Sequence, residues 1–397
     1  MVINNIPELL SPAGDLEKLI MAVTYGADAV YLSGENFGMR AKSAGFSNED
    51  IIKGIEYAHS QNVRVYITCN TLPREYELEI LPDYLSFLQS AGADALIIAD
   101  LGVLSYANKY APNLKKHVST QLGVVNSETA KMLYDLGADT VVLARELSLK
   151  EIKDIRKKTP EDLRLECFVH GAMCVSFSGR CLLSNYLTGR DANRGKCAQP
   201  CRWKYHLMEE SRPGEYYEIS EDNGTFVFNS RDLCMIEHIP ELLDSGISSF
   251  KIEGRMKSAY YTACVTNAYR AVLDCALQGI APDIRWINEV NNTSHRPFST
   301  GFFYGYPGQH YGDSSYTQDA EIVAVVDDDG YLVQRNKFFE GDKLELVSPG
   351  HLPISFTAAG LFNEKGDKID STPNAMMKFK MQLPTQAKKY SIVRKPK

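Results

Sequence analysis

The sequence lacks most features that assign a protein to a class at sight. No apolar run approaches the roughly 18 residues a membrane span requires, so no membrane segment is expected. The opening MVINNIPELL has no basic stretch leading into an apolar one, which predicts no signal peptide and a reducing, cytoplasmic home. There is no HExxH, no P-loop and no GxSxG, so the common zinc-hydrolase, nucleotide-binding and serine-hydrolase signatures are missing. Nor does a GxGxxG follow the first strand pattern, which removes the usual indication of a dinucleotide-binding sheet. Positive charge is not in excess either. The formal net charge of −7 argues against a broad nucleic-acid coat and leaves room only for a local basic patch.

What is present is an ordinary globular composition, 44% apolar and 23% charged over 397 residues, long enough for two or three domains. A weak repeat organises the first 255 residues. The segments AVTYGADAVYLSG (22–34), LQSAGADALIIAD (88–100), LYDLGADTVVLAR (133–145) and LLDSGISSFKIEG (242–254) share one grammar. Each has an apolar helical end, a glycine that stops the helix, a polar step and a buried strand. Eight strands are expected, near 7–11, 28–33, 63–69, 94–99, 115–120, 139–145, 164–169 and 249–253, with helical patterns between most of them. Alternating strands and helices in this number predict an α/β fold of the TIM-type (β/α)8 class, with an open doubly wound sheet as the alternative.

In a barrel, chemistry gathers at the C-terminal ends of the strands. Arg145, Glu146, His170, Glu253 and Arg255 stand at such ends and would face one mouth. Arg145, His170, Glu253 and Arg255 are the candidate catalytic residues. Residues 171–240 form an insertion after strand seven, with strand-like alternation at 203–209, 215–221 and 225–229. A helix near 257–278 ends the barrel region 1–280, an irregular linker covers 281–314, and 315–397 alternates as a small C-terminal all-β domain, a barrel or sandwich. From Met376 onward there are seven Lys or Arg and no acids, either a solvated terminal strand or an RNA contact at 376–397.

Nine cysteines are present, and five of them, Cys174, Cys181, Cys197, Cys201 and Cys234, fall within about sixty residues. A disulfide framework does not suit a long chain without a secretory segment. Cys69, Cys167, Cys264 and Cys275 sit in apolar runs and read as core residues. Between the clustered five, the gaps are six, fifteen, three and thirty-two residues, and only Cys197 and Cys201 resemble half of a zinc knuckle. A [4Fe–4S] cluster tolerates wide spacing, because loops bring its four thiolates together; it stands modestly ahead of zinc.

The run Glu166-x-Phe168-x-x-Gly171-Ala172-Met173-Cys174-x4-Gly179-x-Cys181-x-Leu183-Ser184 resembles the signature of the collagenase-like peptidase U32 family. ELLSPAG, GADAVYLSG, RGKCAQPCRW, FKIEGRMKS and HRPFSTGFFYG extend the resemblance over most of the chain. Within that family the chain is most similar to the tRNA hydroxylation proteins, which help to make wobble 5-hydroxyuridine. The resemblance implies a [4Fe–4S] cluster, with Cys174, Cys181, Cys197 and Cys234 matching a ligand pattern of quinone-modifying relatives. Cys201 is the reserve, because other relatives use a CxxxC pair. It also implies tRNA as partner and prephenate as co-substrate. A small carboxylate of that kind needs cations, for which Arg145 and Arg255 are candidates, unless each merely pairs with Glu146 or Glu253 at a polar rim. The alternatives are a peptidase or collagenase, as the family is named, or an accessory protein with a structural cluster. His170 lies four residues before Cys174 and is expected at the site, and Arg296 either reaches the mouth or tethers a linker.

Overall fold

The computed structural model describes residues 6–39, 45–203, 205, 207–208, 210–214, 216–217, 230–308 and 316–397. Its first seven strands are β1 (Glu8–Pro12), β2 (Ala29–Leu32), β3 (Arg64–Cys69), β4 (Ala95–Ile98), β5 (Lys115–Val118), β6 (Thr140–Val142) and β7 (Arg164–Ala172). Then follow a two-residue hairpin of β8 (Leu207–Met208) and β9 (Tyr216–Tyr217), β10 (Asp232–Cys234) and β11 (Ser249–Ile252). Strands β1 to β7 pair in sequence, all parallel, and β11 closes the ring by pairing with both β1 and β7. Glu8 faces Ser249 on one side of β11, and Ser249 faces Glu166 on the other. This is the closed eight-stranded barrel that the sequence pattern predicts, and not the open sheet.

Two periodicities explain why these residues fold this way. Along a strand, alternate side chains point to opposite faces. Leu10, Ala29, Tyr31, Tyr66, Ala95 and Ile97 form one buried cluster, while Val30, Leu32, Val65, Ile67, Leu96 and Ile98 join a second cluster with helix residues such as Leu19, Ile51, Leu85 and Leu104. The helices carry the other period, and their N-termini are capped by Ser47, Asp100, Asn126 and Ser148.

The repeat has a physical cause. Gly26, Gly92, Gly137 and Gly246 all take positive φ, the left-handed step that ends a helix. The aspartate that follows in GAD then caps a neighbouring strand: Asp28 accepts from Leu9 N–H, Asp94 from Val65 N–H and Asp139 from Lys116 N–H, at 2.7, 2.7 and 2.9 Å. Each satisfies a backbone donor at a strand start, where the ladder does not.

The chain divides into two compact units, one of residues 1–23, 27–257 and 295–316, the other of 24–26, 258–294 and 317–397. The long helix Ala259–Leu277, expected at 257–278, belongs to the second unit. The stretch expected to be irregular contains a short helix, Ile284–Asn288, and β12 (Phe298–Ser299). The C-terminal strands are β13 (Ala320–Val326), β14 (Leu332–Gln334), β15 (Lys343–Val347), β16 (Ile354–Thr357), β17 (Phe362–Asn363), β18 (Lys378–Lys380) and β19 (Ile392–Pro396). They form one antiparallel sheet in the order β16-β15-β19-β13-β14-β18-β17, a half-barrel around Val323, Leu332, Phe338, Leu346 and Phe379. Of the strands expected in the insertion, the first two shrink to the β8–β9 hairpin, and 225–229 lies outside the described residues.

No helix among the described residues is long and apolar enough to cross a membrane. All nine cysteines are free, with Cys69, Cys167 and Cys264 buried and Cys275 half-buried.

Candidate functional site

Strand β7 is nine residues long, and beyond the barrel it carries β10 as an antiparallel partner, with Cys234 opposite His170 and Asp232 opposite Ala172. Strand β12 extends this ribbon. Both ends of the insertion are thereby anchored beside the mouth. Gly171 makes the approach possible: its φ is +109°, and a Cβ there would stand 2.4 Å from the carbonyl oxygen of Glu253.

Buried charge locks the anchor. Arg296, 1% exposed, donates through Nε and Nη2 to Asp232 at 2.9 and 2.6 Å, and its own backbone N–H reaches the same carboxylate. Nη2 also approaches the carbonyl of Met173, next to Cys174, at 3.5 Å. Of its two sequence readings, Arg296 takes the tether. Glu146 holds the insertion from the barrel side, accepting from the N–H and hydroxyl of Ser178 at 2.8 and 3.0 Å. Arg194 adds a clamp to Glu77 at 2.6 Å.

These elements enclose a cavity of about 210 Å³ at the strand C-termini. Arg145, Glu253 and Arg255 line it, as do Cys174, Cys197 and Cys201. The guanidinium of Arg145 lies 5.3 Å from the Phe168 ring and donates to the carbonyl of Ala172 at 3.0 Å. Its Nε is buried and has no hydrogen-bond partner among the described residues. Arg255 is buried and donates to Thr68 Oγ1 at 3.3 Å and to the Met39 carbonyl at 2.5 Å. Glu253 accepts from the hydroxyl of Tyr31 at 3.3 Å.

Sequence reasoning missed a charged member of this wall. Lys251 is 4% exposed, paired to Glu166 at 2.7 Å, and its Nζ lies 4.6 Å from the Tyr31 ring and 5.4 Å from that of Phe168. Glu166 also accepts from Ser249 Oγ at 3.0 Å. Asn70 and Gln121 add a polar edge, joined at 2.7 Å. The available signal was one charged residue in each of two apolar strand patterns, Lys251 in FKIEG and Glu166 in RLECF.

The other expected site residues stand apart from this wall. His170 is buried under the β10 ribbon, with its ring 5.4 Å from Phe298. Burial depresses its pKa to about 3 against the opposing pull of Asp232, so the ring is neutral near pH 7. Cys181 is half-buried, and with Cys174 and Cys197 it acts electrostatically on Cys201, whose thiol pKa is raised mainly by burial. Cys234 is half-buried on β10. In the core, burial pushes the Cys69 thiol up to about 12, which keeps it protonated and a poor ligand.

The basic run 376–397 is not an open patch. Lys378, Lys389 and Lys395 pair with Asp327, Asp328 and Asp342 at 2.7, 2.5 and 2.8 Å, and Arg394 is buried against Glu289 and Glu345. Lys380, Lys388 and Lys397, the other three cations of the run, are exposed.

Comparison with known proteins adds a family. The model of peptidase family U32 matches residues 14–313, and that of the U32 C-terminal domain matches 318–394. A Bacillus subtilis protein named tRNA hydroxylation protein P1 is 37% identical over 408 residues, covering 100% of this chain and 96% of that protein. The 23S rRNA 5-hydroxycytidine C2501 synthase of Escherichia coli is 39% identical over 271 residues, 68% of this chain and 40% of the synthase. A protein named collagenase from Porphyromonas gingivalis is 32% identical over 311 residues, 75% of this chain and 73% of its own. A family model spanning most of the chain, and a relative aligned with it from end to end, show that this protein belongs to peptidase family U32.

Proposed function

We propose that the protein is an RNA-modifying enzyme that hydroxylates a tRNA wobble uridine to 5-hydroxyuridine, with a [4Fe–4S] cluster and with prephenate as a small dicarboxylate co-substrate. One observation carries this reading: a single cavity at the barrel mouth joins four cations, Arg145, Arg202, Lys251 and Arg255, to three of the five clustered thiols. The end-to-end similarity to a tRNA hydroxylation protein supports the choice of substrate, and tRNA as substrate implies the cytoplasm.

The residues present suit such a cluster. Thiolates are the donors it requires. Three of the candidate thiols, Cys174, Cys197 and Cys201, line one cavity wall. A cluster spreads its four thiolates over the corners of a cube, farther apart than the ligands of a single ion. Cys174, Cys181, Cys197 and Cys234 would hold it, with Cys201 as the competing fourth ligand. When bound, the cluster supplies one-electron redox chemistry.

The chain's own groups do the rest. Arginine forks match carboxylates, and Lys251 adds a point charge between two aromatic faces. Tyr31 and Phe168 offer ring surfaces for a planar or cyclic ligand, and Glu253 is the carboxylate placed to accept a proton beside the Tyr31 hydroxyl. The insertion contributes Cys174, Cys197, Gln199, Cys201 and Arg202 to the cavity wall.

The test is nucleoside analysis of tRNA from a strain deleted for the gene. Loss of 5-hydroxyuridine, restored by this chain, is the expected result. Intact 5-hydroxyuridine in that strain, together with gelatin cleavage by the purified protein, would return the function to proteolysis.

A further inference from the structure

The chain is acidic overall, yet residues 174–204 carry six basic residues, Arg180, Arg190, Arg194, Lys196, Arg202 and Lys204, against one acid, Asp191. Asp191 turns inward to cap the N–H of Asn193 at 2.9 Å. Arg194 is spent on Glu77, whereas Arg180 and Lys196 are exposed and form no ion pair among the described residues. Aromatic surface accompanies the charge: Tyr186 is 88% exposed and Trp203 43%. An isolated exposed aromatic needs no explanation. Aromatics interleaved with unpaired cations on a protein of opposite net charge do.

These side chains belong to one small folded element. The helix Leu183–Thr188 packs against the turns Ala192–Arg194 and Pro200–Arg202. Ser184 Oγ accepts from Ala198 N–H at 2.9 Å, Arg190 Nε donates to the Lys196 carbonyl at 3.0 Å, and Asn193 Nδ2 reaches the Cys181 carbonyl at 3.4 Å. The same element places Cys197, Gln199, Cys201 and Arg202 in the cavity wall. The element that carries Tyr186, Arg190 and Lys196 therefore also forms part of the cavity rim.

We infer that this element is the RNA-docking face: a single-stranded loop lays its phosphates along Arg180, Arg190 and Lys196, stacks a base on Tyr186 or Trp203, and presents the next base to the cavity. This rests on the proposed RNA-modifying function and adds the surface that selects the substrate. Backbone phosphates supply sequence-independent affinity, and exposed aromatic faces hold unstacked bases. The C-terminal basic run, whose charges are largely neutralised internally, takes no part.

The experiment is fluorescence anisotropy with a labelled, unmodified tRNA transcript over a range of salt concentrations. The double variant Arg180→Glu/Lys196→Glu is expected to bind at least tenfold more weakly, with the slope of log affinity against log salt shallower by about 1.4, two single-strand phosphate contacts. Tyr186→Ala should weaken binding about tenfold, and its exposure makes misfolding an unlikely cause of the loss. Lys380→Glu/Lys388→Glu, in the C-terminal run, should bind as the unaltered protein does.

Wild-type affinity in the Arg180 and Lys196 variant, or a loss confined to the Lys380 and Lys388 variant, overturns the inference while leaving the function standing. Displacement of tRNA by polyglutamate at equal charge concentration also overturns it, because the face would then suit an acidic protein. Should the unaltered protein bind no tRNA and the deletion strain keep its 5-hydroxyuridine, the functional reading itself fails.

Discussion

Lys251→Ala is expected to abolish tRNA hydroxylation and to lower stability by about 3–5 kcal/mol, the cost of leaving a buried charge without its partner. Glu166 is 0% exposed, and its carboxylate is held by Lys251 at 2.7 Å and Ser249 at 3.0 Å. Removing the ammonium strands that carboxylate inside the barrel. A surface pair such as Lys131–Glu128 would cost at most about 1 kcal/mol on the same substitution. Chemical denaturation reads the stability, and 5-hydroxyuridine content in a complemented strain reads the function. The two roles of Lys251 separate in the double variant Lys251→Met/Glu166→Leu. A buried ion pair replaced by apolar residues of similar volume is often neutral or stabilising, so stability should return. Activity should not, because the cavity still lacks its cation. Recovery of hydroxylation in the double variant would reduce Lys251 to a structural role.

Alanine at Cys174, Cys181 or Cys197 should empty the anaerobically purified protein of iron and of its absorption near 400 nm, whereas Cys69→Ala and Cys264→Ala should retain both. The contrast follows from environment. Cys69 and Cys264 are fully buried, and burial is the main cause that raises each thiol and keeps it protonated. Cys174, Cys197 and Cys201, by contrast, line the cavity at the barrel mouth. Cys234→Ala should also lose iron. Full iron in that variant, with loss in Cys201→Ala, would move the fourth ligand to Cys201, which shares the cavity wall with Cys174 and Cys197.

Much of the barrel was legible because its strand bodies are apolar and three of them follow the same tripeptide. Strand bodies such as AVYL and ALII are apolar, and GAD precedes both. The aspartates Asp28, Asp94 and Asp139 explain why that tripeptide recurs: a strand edge elsewhere in the sequence needs a cap. Arg145, Glu253 and Arg255 could be placed at the mouth because strand C-termini share one end of a barrel. Lys251 and Glu166 were not foreseen, since a strand body reads as core and only the closed ring sets their side chains face to face.

Pairing across long separations was the other blind spot. The basic run at the C-terminus looks bare in sequence because Asp327, Asp328 and Asp342 lie about fifty residues or more from Lys378, Lys389 and Lys395. Arg296 and Asp232 are 64 residues apart, and nothing local in either segment announces a buried pair. In the insertion, the alternation at 203–209 and 215–221 yields only the short β8–β9 hairpin. Its order comes from glycine turns and from clamps such as Arg194–Glu77, which composition alone does not arrange.

The central claim is that the cavity at the barrel mouth is where a carboxylate co-substrate and RNA chemistry meet. Arg145 and Arg255 are the groups whose removal tests it most directly, because each should contribute roughly 1.5–3 kcal/mol of charge-assisted binding to an anion in that cavity. The measurement is the 5-hydroxyuridine content of tRNA from the deletion strain carrying Arg145→Ala or Arg255→Ala, with protein level and iron content determined in parallel. The account predicts normal accumulation and iron with hydroxylation lost in both variants. Full hydroxylation in both would contradict it and leave these arginines as no more than the polar rim of a barrel.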